Sequence, residues 1–290
     1  MTKWMLGACA ALMLAASGAA AQPRIPQAIF ADPPHDAAHP ARMEVLHVPS
    51  GGVALNAVAY VPAGAGPHPT VVLFHGLPGN EKNLDLAQAM RRAGWTVVAP
   101  NYRGSWGSPG TFSFKGNLDD AKAVLAYLRR PAVAAQLGID TRRIVVMGHS
   151  MGGWVTAVTG GSDPDLAGAV LISAADMGAR SKVPIDTVTA RLKTEMETLA
   201  GVTPESEARE IQTLGAFTFA AAAPGLAKHP LLVVTSNDGL QPVDDKLVMD
   251  VKQRGGRVAV VHLPTDHSYS DARIGLEAAV VDWLERLKQP

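Results

Sequence analysis

The chain reads RIVVMGHSMGGWVTAV over residues 143–158, and this stretch decides the fold. It begins with an apolar run, Ile144 to Met147, which is typical of a strand buried on both faces. A Gly-x-Ser-x-Gly motif follows at residues 148–152, and the residues after it predict a helix. A chain of this length and composition would contain the motif by chance in about one case in eight. The setting between a strand and a helix is therefore more informative than the five residues themselves.

A sharp turn from strand to helix would expose the hydroxyl of Ser150 in a strained conformation. Gly148 and Gly152 carry no side chains that would collide at such a turn. The N–H groups of the following helix would point toward the serine, where negative charge develops during acyl transfer. A nucleotide-binding phosphate loop is the alternative, but its Gly-x-x-x-x-Gly-Lys-Ser/Thr pattern does not occur in this sequence. Ser150 is thus the predicted nucleophile.

Outward from this stretch, short apolar runs alternate with amphipathic segments. Ser50-Gly51-Gly52 predicts a hairpin turn between the first two strands. The last amphipathic segment predicts a closing helix over residues 271–287. The predicted strands cover residues 43–48, 53–61, 70–74, 95–99, 143–147, 169–173, 231–235 and 258–263. This alternation predicts an α/β fold with a doubly wound, mostly parallel sheet of about eight strands.

Residues 176–229 interrupt the alternation because they contain no convincing strand. Val188, Leu192 and Met196 recur at helical spacing, which indicates an apolar helix face. Thr203 followed by Pro204 is typical of a helix start, with proline at the first helical position. We therefore expect a helical cap at about 176–229, inserted between two strands of a domain that covers residues 43–290.

The N-terminus has the pattern of a secretion signal. Lys3 precedes an apolar run over residues 5–16, and small residues end at Ala21, where we expect cleavage. The apolar run is shorter than the 18 or so residues that a membrane span needs. Residues 1–21 are thus a predicted signal peptide, and the mature protein is expected to be secreted or periplasmic, without stable membrane insertion. Residues 22–42 contain five prolines and predict an exposed arm.

Composition excludes several function classes. The 47% apolar and 18% charged content of the 290 residues is that of a globular protein. Lys+Arg and Asp+Glu both number 26, and no basic stripe occurs, which argues against nucleic-acid binding as the main activity. Cys9, the sole cysteine, lies in the predicted signal peptide. A mature chain without it has neither a disulfide nor a thiol nucleophile.

Residues 148–153, Gly-His-Ser-Met-Gly-Gly, resemble the nucleophile elbow of the α/β-hydrolase family, in its esterase and prolyl-oligopeptidase-like branch. The resemblance extends over residues 43–290 in the order of strands and motifs. In that family the acid and then the base follow the serine along the chain. The resemblance implies Asp238, directly after strand 231–235, as the acid, and His267, after the last strand, as the base.

Some assignments stay open at this point. Asp238 lies in an Asn-Asp-Gly sequence that is also typical of an ordinary turn. Asp244 and Asp245 follow closely and are alternative acids. His267 has the alternative of a surface loop histidine without a catalytic role.

Two further loops resemble family features. Residues 75–79, His-Gly-Leu-Pro-Gly, resemble the oxyanion loop, which implies the N–H groups of Leu77 and Met151 as the two donors, because Pro78 has no N–H. Residues 102–112 resemble the Tyr-Arg-Gly loop of many esterases, for which a purely structural loop is the alternative. The candidate substrate-binding residues are His75, Trp106 and Phe112.

The resemblance implies a serine hydrolase that cleaves carboxylic esters through a Ser-His-Asp triad and an acyl-enzyme intermediate. Its partner would be a small-molecule ester or acyl substrate, and the chemistry needs no metal and no organic cofactor. A serine peptidase, an amidase or a thioesterase on the same fold are alternatives. A non-catalytic ligand-binding module is expected to lack a member of the triad, whereas this chain has candidates for all three.

Overall fold

The computed structural model describes residues 25–288, which form one eight-stranded sheet in the order β1-β2-β4-β3-β5-β6-β7-β8. β2 runs antiparallel to both of its neighbours, and the other neighbouring strands are parallel. The predicted doubly wound, mostly parallel sheet is therefore confirmed. The strands are β1 Arg42–Ser50, β2 Val53–Val61, β3 His68–Phe74, β4 Thr96–Pro100, β5 Ile139–His149, β6 Gly168–Ile172, β7 Leu231–Thr235 and β8 Val258–His262.

Helices cover both faces of this sheet. The α-helices of the described residues are α1 Leu84–Arg92, α2 Phe114–Leu128, α3 Pro131–Leu137, α4 Met151–Ser162, α5 Ile185–Leu192, α6 Pro204–Ile211, α7 Phe219–Leu226, α8 Gln241–Gln253 and α9 Arg273–Lys288. Helices α1 and α9 pack on one face, where Val145 and Met147 of β5 are buried. Helices α2, α4, α7 and α8 pack on the other, with Val146. Both faces of β5 are thus enclosed, which explains its continuous apolar run.

The first two strands form the predicted hairpin. Ser50 pairs with Val53, so that Gly51 and Gly52 alone make the turn. Their φ angles are +55° and +82°, in a region that glycine adopts without the steric cost of a Cβ. A two-residue turn of this kind matches the twist of the flanking strands.

The interval between β6 and β7 consists of short helices, as its sequence predicts. α6 begins at the predicted point: the Thr203 hydroxyl accepts a hydrogen bond from the Ser206 N–H, and Pro204 is the first helical residue. α7, however, packs against α4 within the layer on the sheet. A Cβ at Gly225 would lie 1.9 Å from the carbonyl oxygen of Gly161, so the two helices approach backbone to backbone. The last helix of the interval predicted as a cap at 176–229 therefore packs within the layer of helices on the sheet.

The connection between α5 and α6 is fastened to the loop that follows β4. The Ala200 N–H donates to the Gly104 carbonyl at 2.8 Å, and the Phe112 N–H donates to the Ala200 carbonyl at 3.0 Å. The Trp106 N–H also donates to the Thr198 carbonyl. Backbone pairing therefore holds the middle of the interval to the body of the domain.

Part of the predicted N-terminal arm is anchored rather than exposed. Ile29 is buried against α1 and α9, and Arg92 of α1 donates to the carbonyl oxygens of Ala28 and Ile29. The predicted signal peptide, residues 1–21, lies outside the described residues. Within residues 25–288, the helices are too short or too polar to traverse a lipid bilayer.

Candidate active site

Ser150 forms the turn between β5 and α4. Its φ and ψ angles are 57° and −120°, a strained conformation for a residue with a side chain. The Ser150 N–H donates to the Ile172 carbonyl at 3.0 Å, which fixes the turn to the end of β6. The expected strained serine between strand and helix is what the structure contains.

The glycines around Ser150 are required by close backbone contacts. A Cβ at Gly148 would lie 2.1 Å from the Gly152 carbonyl oxygen, and a Cβ at Gly152 would lie 2.2 Å from that of Phe74. Both distances are far below van der Waals contact, and both clashes involve backbone. A larger residue at Gly148 would force the turn itself apart, and one at Gly152 would push the turn away from β3.

Asp238 and His267 are joined at the edge of the sheet where β7 and β8 end. His267 Nδ1 lies 2.7 Å from Asp238 Oδ2, and the side chains are 39% and 4% exposed. Burial raises the pKa of the Asp238 carboxyl, but hydrogen bonds from His267 and the Leu240 N–H outweigh it and hold that pKa below its usual value. The carboxyl is therefore an ionised acceptor for the imidazole N–H.

The alternative acids have other environments. Asp244 is fully buried in the first turn of α8, where burial and the nearby Asp238 and Asp245 carboxyls raise its pKa to about 8. Asp245 lies one residue further along the same helix. Among the described residues, the hydrogen bond between a carboxylate and His267 comes from Asp238.

His149 supports the His267 loop from within the serine turn. Its Nε2 donates to the His267 carbonyl oxygen at 2.8 Å, and the two ring centroids are 4.5 Å apart. Burial and the neighbouring His267 lower the pKa of His149 to about 4. The His149 ring is thus neutral at pH 7 and places no charge against His267.

A buried hydroxyl cluster at the ends of β6 and β7 was not predicted from the sequence. Ser173 Oγ lies 2.9 Å from both the Ser236 Oγ and the Tyr269 hydroxyl, and Tyr269 also donates to the Val234 carbonyl. The cluster ties the loop after β8 to the ends of β6 and β7. Because Ser173 and Tyr269 are 96 residues apart, no local pattern indicates that they meet.

The oxyanion-type loop at residues 75–79 lies beside Ser150, since a Cβ at Gly76 would be 3.0 Å from the Ser150 Cβ. The Trp106 Nε1 and the Thr198 hydroxyl both donate to the Pro78 carbonyl, at 2.7 and 2.9 Å. Within residues 25–288, the N–H groups of Leu77 and Met151 donate to no loop or turn carbonyl. Both remain available to an external acceptor, as an oxyanion site requires.

A cavity of about 460 Å³ contains the serine, the histidine and the aspartate. Residues of the helical interval between β6 and β7 form its opposite wall. Leu77, Ala175 and Leu240 line it beside the three polar residues. The remaining lining residues are Met177, Arg180, Val183, Val188, Arg191, Leu192, Thr194, Glu195 and Ile211.

The three candidate substrate-binding side chains are not among the residues that line this cavity. Phe112 is 2% exposed and packs edge-on against Phe114 at a ring distance of 5.3 Å. Trp106 braces the Pro78 carbonyl instead. His75 is buried, its Nδ1 donates to the Gly76 carbonyl, and burial lowers its pKa to about 4. All three side chains contact the loops and the core around the site and not the cavity itself.

The charged residues of the cavity wall were missed for a different reason. Arg180, Arg191 and Glu195 lie in the helical interval, where a charged residue usually indicates a solvated helix face. Nothing in their spacing distinguishes them from the other charges of that interval. Within the part of the chain that the structure describes, no cluster of three or more His, Cys, Asp or Glu is arranged to hold a metal ion.

The family model described as serine aminopeptidase, S33, matches residues 65–232, more than half of the chain. The alpha/beta hydrolase domain-containing protein WAV2 of Arabidopsis thaliana is 33% identical over 142 residues, which are 46% of this chain and 44% of that protein. The chain thus spans less than half the length of the curated relatives it matches.

Solved structures share the fold at low sequence identity. EstE1, a thermophilic carboxylesterase cloned from a metagenomic library, has a TM-score of 0.63 at 23% identity, over 87% of this chain and 91% of that one. The acylaminoacyl peptidase of Pyrococcus horikoshii has a TM-score of 0.63 at 19% identity, over 84% and 41%. Together with the strand order and the family match, these results show that the chain belongs to the serine aminopeptidase S33 family of α/β-hydrolases.

Proposed function

We propose that the protein is a serine hydrolase that cleaves carboxylic esters, with Ser150 as nucleophile, His267 as base and Asp238 as the residue that orients the base. The hydrogen bond of 2.7 Å between Asp238 and His267, in the same cavity as the strained Ser150, carries this proposal. Structural similarity to carboxylesterases is consistent with it.

In the proposed reaction, His267 Nε2 accepts the Ser150 hydroxyl proton as the oxygen attacks the ester carbonyl. Asp238 keeps the proton of the neutral imidazole on Nδ1, so that Nε2 is free to accept. Among the described hydrogen bonds there is none between Ser150 Oγ and the His267 ring. Such bonds are often long in structures without substrate and shorten in the complex.

The N–H groups of Leu77 and Met151 would stabilise the tetrahedral oxyanion. His267 then gives its proton to the departing alcohol, which leaves an acyl group on Ser150. A water molecule, deprotonated by the same histidine, releases the carboxylic acid and restores the serine. Loss of one oxyanion donor typically lowers the rate about 10²- to 10³-fold.

A serine peptidase or amidase is the second candidate. It is favoured by the family's description as a serine aminopeptidase and by the Glu195 carboxylate in the cavity, an acceptor for a substrate ammonium group. Against it, two arginines line the same cavity and would repel that ammonium. We therefore place ester hydrolysis first, and a thioesterase would use the same triad.

A substrate panel tests the proposal. We expect turnover of 4-nitrophenyl esters of two to eight carbons, with activity falling once the acyl chain exceeds what the cavity of about 460 Å³ holds. Aminoacyl 4-nitroanilides are expected to react far more slowly. Rapid cleavage of the anilides with no turnover of the esters would replace esterase by peptidase as the activity.

Substitution of Trp106 by phenylalanine tests the brace on the oxyanion loop. The change removes the N–H that donates to the Pro78 carbonyl at 2.7 Å but keeps an aromatic ring. A neutral hydrogen bond is worth about 0.5–1.5 kcal/mol, so we expect kcat to fall roughly 2- to 12-fold. Trp95→Phe is the control, because Trp95 is a buried tryptophan whose Nε1 has no hydrogen-bond partner among the described residues. Equal kcat values for the two variants would contradict the bracing role.

A further inference from the structure

The cavity that contains Ser150 has a charged wall as well as an apolar one. Val183, Val188, Leu192 and Ile211 supply apolar surface, whereas Arg180, Arg191 and Glu195 supply charge. Asp238 also lines the cavity, but its carboxylate is already engaged by His267. Arg180 and Arg191 therefore line the cavity together with Glu195, whose carboxylate has no hydrogen bond or ion pair among the described residues.

In the described part of the chain, Arg180 and Arg191 lack ion-pair partners of the kind that Arg103 and Arg129 have. Arg103 pairs with Asp120 at 2.6 Å and Arg129 with Asp163 at 2.7 Å. Within residues 25–288, the guanidinium groups of Arg180 and Arg191 form no ion pair and donate no hydrogen bond, and Arg180 is partly buried. Partly buried charges are normally paired, because removal from water costs free energy that only a partner recovers.

The environment of Arg180 shows that this cost is present. Burial lowers the pKa of the Arg180 guanidinium, and the positive charge of Arg191 lowers it further. The carboxylates of Glu195 and Asp176 are close enough to raise the pKa of Arg180, but within residues 25–288 neither forms an ion pair with it. Burial also raises the pKa of the Glu195 carboxyl. Arg180 thus lies in the wall of the serine cavity without an ion-pair partner among the described residues.

We infer that this wall selects substrates that carry a carboxylate, so that the preferred esters are monoesters of dicarboxylic acids, with Arg180 and Arg191 binding the free carboxylate. This inference rests on the proposed ester hydrolysis. The planar guanidinium presents paired N–H donors that match a carboxylate, and an apolar wall strengthens the pairing by excluding water. The apolar residues of the cavity would contact the methylene chain between the two carbonyl groups.

The inference is tested with two esters of equal chain length. Mono-4-nitrophenyl adipate carries a free carboxylate where 4-nitrophenyl hexanoate carries a methyl group. We expect the wild-type kcat/KM to favour the adipate ester. In Arg180→Gln and in Arg191→Gln the ratio of the two kcat/KM values is expected to fall about 10- to 100-fold, the range for hydrogen bonds to charged groups.

Arg209→Gln is the matched control, because Arg209 lies in α6, is exposed and does not line the cavity. We expect it to preserve the ratio. Arg191 is exposed at the cavity mouth, so Arg191→Gln is expected to fold even if Arg180→Gln does not. As a second measurement, adipate is expected to inhibit wild-type hydrolysis of the hexanoate ester competitively, and hexanamide is expected to inhibit it far less.

Three outcomes would contradict either the carboxylate site or the proposed ester hydrolysis, and each outcome distinguishes between the two. A wild-type preference for the hexanoate ester, with a ratio that neither substitution changes, overturns the carboxylate site and leaves ester hydrolysis intact. Preference for aminoacyl anilides, lost in Glu195→Gln, replaces the carboxylate site by an ammonium site. If the protein hydrolyses neither ester, the proposed esterase activity is overturned. Calorimetric binding of adipate to the wild type then tests the arginine site on its own.

Discussion

Ser150→Ala is expected to lower kcat about 10⁶-fold, the loss seen when a triad nucleophile is removed. The variant has no oxygen to attack the carbonyl, and the remaining activity comes from water activated near His267 and from the oxyanion donors. The fold is expected to persist, because the structure gives the Ser150 hydroxyl no hydrogen bond among the described residues and its backbone bonds do not depend on the side chain. The measurement is ester hydrolysis together with thermal unfolding.

Ser162→Ala is the control for this experiment. Ser162 ends the same helix, α4, on the exposed surface, and its hydroxyl donates to the Thr159 carbonyl at 3.1 Å. We expect its kcat to equal that of the wild type. Covalent labelling by a fluorophosphonate should add one adduct to the wild type and to Ser162→Ala but none to Ser150→Ala. Wild-type rates in Ser150→Ala would exclude it as the nucleophile.

Asp238→Asn is expected to lower kcat about 10⁴-fold, as the equivalent change does in other triads. The amide would donate to His267 Nδ1 and so favour the tautomer that carries its proton on Nε2. That nitrogen then cannot accept the Ser150 proton. KM is expected to change little, because the Asp238 carboxylate is 4% exposed and is occupied by the imidazole.

The alternative acid supplies the comparison for Asp238→Asn. Asp245→Asn removes a carboxylate from the adjacent helix without touching the bond to His267, and we expect near wild-type kcat. A large loss in Asp245→Asn, with activity retained in Asp238→Asn, would transfer the role to Asp245. The thermal unfolding temperature of both variants is measured in parallel. A decrease in this temperature identifies a variant whose lower activity results from destabilisation of the fold.

The sheet was predictable because its parallel strands are enclosed by helices. A strand buried on both faces needs a continuous apolar run. The ends of such runs lie within a few residues of the observed ends of β3, β5, β6 and β7. The hairpin at Gly51-Gly52 was predictable because only certain residues adopt positive φ without strain. The order of serine, aspartate and histidine came from family resemblance and not from either of these patterns.

The features that the sequence did not predict concern the direction of side chains and the partners that they contact. Trp106 and Phe112 follow a strand at the correct edge of the sheet, but their side chains pack behind the site, and periodicity carries no information about loops. α7 was assigned to the cap although its sequence, FAAAAPGL, has no polar face, which is typical of a helix enclosed on several sides. The unpaired state of Arg180 depends on distances across the cavity that no sequence pattern contains.

The backbone pairing between residues 198–200 and the loop after β4 also defines what can be exchanged between relatives. Thr198 and Ala200 contact Pro78, Gly104, Trp106 and Phe112 through specific hydrogen bonds. A chimera that imports the helices over the cavity from another hydrolase would lose these bonds unless residues 75–79 and 102–112 came with them. To alter substrate specificity by exchange, three segments that are separate along the chain must therefore be replaced together: the helices over the cavity and the two loops.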